Sequence, residues 1–337
     1  MKKLYPYLLL IITTLSTGKL KAQVNTQDSL ALVDLYNTTD GPDWFDNTNW
    51  LTSAPVSSWG GVTVINTRVT YLQLLVNRLS GNIPSSIGKL TSMTYLLLGA
   101  NNLTGTIPSS IGNLENLNVF SLEQNNLTGK IPASFGKLVN LVSLEIGDNQ
   151  LTGTLSNIFD KFPKMVYLSI GGNKFTGNIS FLNGMPRLHY AALLFNQFTG
   201  RIPTLNNVDS IGYLALSNNQ LNGIIPIFRK SAELQYLDLS NNLLNGNINH
   251  QFDSLSNVNL DVFISNNQLG GNVSLHNLAH LNSIDLANNK LDGTILAAND
   301  TIYYNRLKYL NLSHNQLTGN IPASISKLYL LNRRCVE

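Results

Sequence analysis

The sequence predicts an α/β solenoid built from about eleven copies of one short unit. An Asn recurs every 22 to 26 residues, a Leu or Phe follows it by two positions, and a Gly follows that residue by two more. The recurring residues are Asn77, Asn101, Asn125, Asn149, Asn173, Asn196, Asn219, Asn242, Asn267, Asn289 and Asn315. Eleven matches with so little drift indicate one stacked supersecondary unit per period.

Each unit is predicted to open with a short strand that has one buried face. In "YLDLSNN", Leu237 and Leu239 alternate with Asp238 and Ser240, which is the period of a half-buried strand. The Asn that follows, Asn242 in this unit, offers two donors and an acceptor to backbone groups at an inward turn. Stacked units should therefore carry a ladder of Asn side chains bonded to neighbouring backbone.

The second half of each unit returns the chain to the next strand. Gly246 permits a positive φ or a close backbone approach there. Proline recurs in this half and cannot extend a helix, so the return segment should be irregular or 3-10 helical. The prolines concerned are Pro84, Pro108, Pro132, Pro203, Pro226 and Pro322.

The unit LxxLxLxxNxLxGxIP resembles the leucine-rich repeat family over residues 69–329. The stretches "SGNIPSSIGKL", "TGTIPSSIGNL", "TGKIPASFGKL" and "TGNIPASISKL" resemble its plant-type subclass, found in plant receptor ectodomains, polygalacturonase inhibitors and secreted bacterial proteins. The resemblance implies a right-handed horseshoe with a concave parallel β-sheet and an irregular or 3-10 convex side. It also implies binding through the concave face.

Residues 1–22 are predicted to be a secretory signal, with Lys2 and Lys3 before an apolar stretch from Leu8 to Leu15. The alternative is an uncleaved membrane anchor. Removing this segment takes away four lysines and no acid, so 22 − 4 leaves 18 basic against 19 acidic residues. This balance argues against a nucleic-acid partner. The expected location is secreted, at the cell surface or periplasmic, with no transmembrane segment after cleavage.

Residues 23–68 are predicted to form an N-terminal helical cap, with a helix from about Thr26 to Tyr36. Trp44, Trp50 and Trp59 should cover the core of the first unit, and the alternative is a tryptophan-lined ligand site. The resemblance places Ser57 and Val64 at two positions that are cysteine in the family's cap. The usual disulfide is therefore missing, which favours a bacterial member.

The C-terminal residues 330–337 enter a further strand and stop, without a capping segment. A truncated reading frame is expected, which would make the chain a fragment of a longer receptor or surface protein. The alternative is that the tail folds over the end as a cap. Cys335 is the single cysteine, so no internal disulfide can form. A monomer is expected.

The search for catalytic chemistry predicts no enzyme, no metal and no cofactor. His276 and His280 have the spacing of helical metal ligands but lack a third ligand nearby. Glu123, Glu145 and Asp148 should cluster on the concave face, as a solvated patch rather than as an acid–base pair.

The candidate binding surface is a column of outward residues, one before the second leucine of each unit, in which seven of eleven are tyrosine. The rings either stack and stabilise the sheet or present a contact ridge to a protein or peptide, with a surface glycan as the alternative ligand. Leu194 and Phe195 add an apolar patch beside this column. The predicted partner-binding residues are Tyr167, Tyr190, Ala192, Leu194, Phe195, Tyr213, Tyr236, Asp238 and Asp261.

Overall fold

The computed structural model describes residues 23–160, 162–228, 233–248, 251–252, 259–278, 281–297 and 306–327. The predicted signal segment, the C-terminal tail with Cys335, and His280 lie outside these residues.

A long sheet of short strands runs through the described residues and forms the concave face of a leucine-rich-repeat horseshoe. Its first two strands pair antiparallel and every later neighbour pairs in parallel. Its strands are Val62–Ile65, Arg68–Gln73, Tyr95–Leu97, Val119–Ser121, Ser143–Glu145, Tyr167–Ser169, Tyr190–Ala192, Tyr213–Ala215, Tyr236–Asp238, Asp261–Phe263, Ser283–Asp285 and Tyr309–Asn311. Consecutive repeats lie side by side in this sheet, so residues that share a place in the repeat become neighbours.

The predicted Asn ladder is present along the solenoid. Asn242 is 6% exposed, and its Nδ2 donates to the carbonyl oxygens of Leu216, Leu239 and Ser240 at 3.0, 3.1 and 3.2 Å. Its Oδ1 accepts the backbone N–H of Leu221 at 3.0 Å. One side chain therefore satisfies backbone groups of its own repeat and of the preceding one, which ties adjacent repeats together.

A second, smaller set of strands lies where the sequence shows the polar half of each unit. A sheet of seven strands forms there in parallel, and two strand pairs accompany it. The seven strands are Thr128–Lys130, Gln150–Thr154, Lys174–Gly177, Gln197–Gly200, Gln220–Gly223, Leu243–Gly246 and Gln268–Leu269, and the pairs are Ser80–Asn82 with Asn102–Thr104 and Val273–Ser274 with Ile295–Leu296. The sequence analysis did not predict this sheet. Gly246 has a φ of 84° at the end of its strand, as its position requires.

The return segments are mostly short 3-10 turns, as their prolines predict. Pro84, Pro108 and Pro132 are extended and directly precede such turns. In the repeats the 3-10 helices are Ser85–Lys89, Ser109–Asn113, Ala133–Lys137, Ser180–Gly184 and Ala323–Lys327, and single α-helical turns occupy Ser156–Phe159 and Leu275–Leu278. The repeated leucines and, in the middle repeats, phenylalanines fill one continuous core between these turns and the concave sheet.

Before the first repeat, an α-helix from Thr26 to Thr38 and two 3-10 turns, Gly41–Asp43 and Val56–Ser58, cover the open edge of the core. The helix begins with Asn25 accepting the N–H of Gln27 and ends two residues later than predicted. Asp28, fully buried, forms a bidentate pair with Arg68 at 2.9 and 3.0 Å and accepts the N–H of Val69. This pair fixes the helix to the concave sheet.

The three tryptophans of this N-terminal segment are buried at 4 to 7% exposure and pack with Tyr36. Trp44 and Trp50 contact edge to face at 4.9 Å, and Trp59 lies 4.8 Å from Trp50. Their indole N–H groups donate to carbonyl oxygens of the same segment. They are therefore core residues, and aromatic packing with the Asp28–Arg68 pair holds a segment that has no disulfide.

Within the described part of the chain, no helix is both long enough and apolar enough to pass through a lipid bilayer.

Candidate functional site

The concave sheet brings four tyrosines into direct register on consecutive strands. Tyr167 pairs with Tyr190, Tyr190 with Tyr213, and Tyr213 with Tyr236. Neighbouring rings are nearly parallel, with centroids 4.2, 4.4 and 4.4 Å apart and interplanar angles of 6, 11 and 4°. These distances are close to the spacing of the strands, and the rotamers of the four rings make them parallel, since Tyr71 and Tyr95, paired in the same register, lie 5.5 Å apart at 47°. We call Tyr167, Tyr190, Tyr213 and Tyr236 the tyrosine stack.

The ionisation of the stack reflects its packing. Partial burial, followed by the neighbouring Tyr190, raises the pKa of Tyr167 to about 12. The pKa of Tyr213 is also raised, chiefly by burial and then by its neighbours on both sides. All four rings are half-buried. Tyr167 and Tyr213 are therefore uncharged at neutral pH, and the half-buried stack offers ring edges and hydroxyl groups to solvent.

The stack continues beyond the residues that the sequence analysis selected. Asp261 follows Tyr236 in the same column, but the ring of Phe263 lies 5.5 Å from that of Tyr236 at 44°. Phe263 comes from the next outward column, two residues along its strand. Its outward position in the alternating pattern of the strand, visible in the sequence, could have identified Phe263.

One predicted contact residue has almost no surface. Ala192 is 4% exposed and its neighbour on the next strand, Ala215, is 2% exposed. Each side chain is a single methyl group with little exposed area, so it offers almost no surface that a partner could contact. The prediction that Ala192 contacts a partner directly is therefore corrected. The exposed surface beside the stack is formed by other side chains around Ala192.

Phe195 is the most exposed large apolar residue near the stack. It is 56% exposed, and it adopts a φ of 52°. The residue before the ladder Asn has a left-handed φ, from 50° to 64°, in every one of the eleven repeats. Asn, Asp and Gly tolerate this region, whereas a bulky residue is strained in it. Phe195 is therefore both exposed and conformationally unfavourable, a combination that often marks a functional position. Leu194, half-buried, lies next to it.

The two predicted aspartates lie at the C-terminal end of the stack and are partly engaged. Asp238 accepts hydrogen bonds from the backbone N–H and hydroxyl of Ser240 through Oδ1, at 3.0 and 2.7 Å. Asp261 accepts from the amide of Asn282 and the hydroxyl of Ser283. Both carboxylates are half-buried beside Tyr236, whose pKa is raised first by burial and next by Asp238.

A further group of carboxylates lies at the N-terminal end of the stack, as the sequence analysis anticipated. The pKa of Glu123 is raised first by its own burial and then by the charges of Glu145 and Asp148. The charges of Glu145 and Glu123 also act on Tyr167. The three carboxylates therefore lie close together and close to the stack.

Within the described residues, no group of three or more His, Cys, Asp and Glu side chains is arranged to hold a metal ion. His276 is exposed. A cavity of about 490 Å³ lies away from the concave sheet, lined by residues that include Arg201, Ile224 and Ile227. Arg201 is its one charged lining residue among those described, so the cavity offers no acid–base pair.

The fold and its repeats agree with known proteins. Profiles of the Leucine rich repeat family match residues 91–151, 233–255 and 306–328. No curated protein matches the chain by sequence. The structure of a PEPR1–AtPEP1 complex superposes with a TM-score of 0.81 at 30% identity, over 91% of this chain and 44% of that one.

Two further structures are similar over most of this chain. A plant peptide hormone receptor, RGFR1, in complex with RGF2 gives a TM-score of 0.67 at 30% identity, over 75% of this chain and 41% of the receptor. A plant ice-binding protein gives 0.72 at 26% identity, over 88% of this chain and 96% of that protein. This chain thus spans less than half of either receptor.

These matches and the architecture define the protein as a leucine-rich-repeat solenoid similar to the ectodomains of plant peptide receptors. The bacterial source predicted from the missing cysteines finds no support among these plant structures.

Proposed function

We propose that this chain is a non-catalytic, exported binding scaffold that recognises a protein or peptide through the concave face, centred on the tyrosine stack. The single observation that carries the proposal is Phe195. This left-handed position is Asn in four later repeats but is Val76, Ala100, Gln124 or His314 in four others, so it is the place of Phe195 beside the tyrosine stack, in addition to its strain, that distinguishes it. A strained and exposed phenylalanine beside stacked tyrosines is the arrangement of a contact anchor.

Two further observations support a protein or peptide as the ligand. Tyrosine offers broad contact area and a polar tip, and its stacking here limits the side-chain entropy lost on binding. The similar PEPR1 and RGFR1 structures are complexes with AtPEP1 and RGF2 respectively. The predicted signal segment makes an extracytoplasmic location the expected one.

The test uses the variant Phe195→Asn in the chain without its signal segment. Peptides of twelve residues are selected on the wild-type protein from a displayed random library, and their affinities for the variant are measured by calorimetry. Phe195→Asn should weaken the selected peptides at least tenfold, while its free energy of unfolding rises by about 0.5–1 kcal/mol because the left-handed strain is relieved.

Val76 provides the matched control, because it occupies the same place in the first repeat, with a φ of 53° and 65% exposure, and lies far from the stack. Val76→Asn should stabilise the fold to a similar degree and leave peptide affinity unchanged. Peptides that bind Phe195→Asn as well as wild type would show that the concave face is not the binding surface. An array of glycans probed in parallel tests the alternative of a surface-glycan ligand, which predicts glycan binding that Phe195→Asn abolishes.

A second candidate function rests on the outer strands. The position before the repeat glycine is Thr104, Thr128, Thr152, Thr176 and Thr199 in five consecutive repeats, and these threonines are partly or fully exposed. Successive outer strands pair with a shift of two residues, Thr128 opposite Gln150 and Thr152 opposite Lys174, so the hydroxyl groups recur at one offset per repeat. A regular array of hydroxyl groups suits a crystalline polar surface, and a similar plant structure is an ice-binding protein. Inhibition of ice recrystallisation by the wild-type chain, lost in Thr128→Lys with Thr152→Lys, tests it. Unchanged ice growth with the wild type would exclude it.

A further inference from the structure

Charge is unevenly distributed between the concave face and the rest of the chain. Each repeat has four outward positions on this face: the residues before and after the second leucine, and the two residues before the ladder Asn. Over eleven repeats these positions contain six carboxylates and neither Lys nor Arg. The carboxylates are Glu123, Glu145, Asp148, Asp238, Asp261 and Asp285. Since basic and acidic residues nearly balance outside the predicted signal segment, the Lys and Arg residues lie at positions other than these.

The carboxylates enclose the tyrosine stack rather than scatter along the sheet. Glu145 pairs in register with Ser169 on the first strand of the stack. At the other end Asp238 lies on the last strand of the stack, in register with Ala215. Glu145 and Asp238 thus occupy the same column four strands apart, which is about 19 Å at the spacing of sheet strands. Small side chains occupy the three positions between them.

Both end carboxylates retain capacity for a cation. Glu145 accepts from the hydroxyl of Ser143 at 2.9 Å through one oxygen, and Asp238 is engaged by Ser240 through Oδ1 alone. Among the described residues the ion pair in the structure is that of Asp28 with Arg68, and neither Glu145 nor Asp238 meets a Lys or Arg. Their charge is thus left for a partner to neutralise.

Aromatic rings of the stack lie beside both of these carboxylates. Tyr167 stacks on Tyr190 with one face, and its other face is turned toward the strand of Ser143 and Glu145. A cation held by Glu145 can therefore lie against an aromatic face, an arrangement that binds guanidinium and ammonium groups. At the opposite end Tyr236 stacks on Tyr213 and lies 5.5 Å from Phe263, so Asp238 and, on the next strand, Asp261 supply the contacts for a cation there.

We infer that the concave face binds an extended peptide that carries two cationic side chains, one paired with Glu145 and one with Asp238, and uncharged residues over the tyrosine stack. An extended chain rises about 3.4 Å per residue, so about 19 Å corresponds to a separation of five or six positions from one cation to the other. Arginine suits the Glu145 end, because its planar group can pair with a carboxylate while stacking on a ring, and at the other end it can pair with Asp238. This inference rests on the proposed function and specifies the partner for the same face.

The experiment uses synthetic twelve-residue peptides with two arginines separated by two, five, six or nine positions in one uncharged background. Affinity for the chain without its signal segment is measured at low and at physiological salt. The separations of five and six should bind best. Glu145→Gln and Asp238→Asn should each weaken the best peptide about fivefold and remove its preference for spacing. Glu115 is an exposed carboxylate in a return segment, so Glu115→Gln makes the same charge change and should leave peptide affinity unchanged.

Equal affinity at all four separations, or affinity that Glu145→Gln and Asp238→Asn leave unchanged, would overturn the inference. The random library described above separates this failure from that of the proposed function. Selected peptides that lack paired cations, yet weaken with Phe195→Asn, retain the concave site and reject its cationic partner. A library that yields no binder, with no arginine peptide bound, rejects both.

Discussion

Tyr190 and Tyr213 stack with ring centroids 4.4 Å apart and planes 11° from parallel, in the centre of a stack that spans four repeats. The two interpretations of the tyrosine column, stabilisation of the sheet and contact with a partner, therefore concern different parts of the same rings. The faces are engaged with one another, while the edges and hydroxyl groups lie at the surface. Substitutions that remove the rings will affect both properties.

The first prediction concerns the stacking itself. Tyr190→Ser combined with Tyr213→Ser eliminates three ring contacts and should lower the free energy of unfolding by about 2–4 kcal/mol, since each aromatic pair contributes about 0.5–1.5 kcal/mol beyond area burial. Phenylalanine at both positions keeps the rings and should leave stability within about 0.5 kcal/mol. Denaturant unfolding of both variants measures the difference. Equal stability of the serine and phenylalanine variants would show that stacking contributes nothing.

The second prediction concerns alkaline pH. The pKa of Tyr167 is raised to about 12, chiefly by burial and then by Tyr190, above the ordinary value near 10. The folded state therefore disfavours the tyrosinate, and the associated stability is complete below pH 10 and is lost as pH rises toward 12. The tyrosinate absorbance of the native chain should show a late-titrating component that Tyr167→Phe reduces. Titration of every tyrosine near pH 10 with the fold intact would contradict the packed stack.

The third prediction follows from the carboxylates at the N-terminal end of the stack. Burial and the charges of Glu145 and Asp148 raise the pKa of Glu123, so the folded state holds its proton more tightly than the unfolded state. Its ionised form destabilises the fold at neutral pH, and this penalty disappears as pH falls below the unfolded pKa. Glu123→Gln should thus stabilise the chain at pH 7, by less than about 1 kcal/mol because the group is partly solvated.

The control for this prediction is Glu115→Gln, which makes the same substitution at an exposed site away from the concave face. Thermal unfolding at pH 7 and at pH 3 compares the two variants with the wild type. A gain for Glu123→Gln that persists at pH 3, where Glu123 is protonated, would point to packing rather than charge repulsion.

The sequence was sufficient to predict the elements that repeat. Leucine periodicity placed the concave strands and the Asn spacing predicted the ladder, because both depend on side-chain chemistry that recurs in every unit. Proline, present in six return segments, predicted the 3-10 turns that follow Pro84, Pro108, Pro132 and Pro322. The outer sheet was missed since its strands, such as Gln220–Gly223, are polar and short. Backbone pairing between stacked repeats creates them, and no residue pattern within one repeat indicates it.

The candidate site was less predictable, because it too depends on contacts between stacked repeats. A column of tyrosines could be read from the spacing, but whether the rings stack depends on rotamers and on the strand separation. Reading the tyrosine column overlooked Phe263, which reaches the stack from the neighbouring column, and the sequence did not show that Ala192 of that neighbouring column is buried. The strain at Phe195 becomes visible only with the backbone conformation.

The last prediction tests whether the Asn ladder acts as a continuous buried network. Asn242 and Asn315 make the same four hydrogen bonds, three through Nδ2 to carbonyl oxygens and one through Oδ1 from a backbone N–H. Asn242 is buried in the middle of the solenoid, whereas Asn315, in the last described repeat, is half-exposed.

Asn242→Ala should lower the free energy of unfolding by about 3 kcal/mol or more, because its four backbone partners lose their bonds where water cannot replace them. Asn315→Ala should lower it by about 1 kcal/mol, since water can reach the freed groups. Denaturant unfolding of the two variants compares the same bonds at two depths, and equal losses would show that burial does not govern the strength of the ladder.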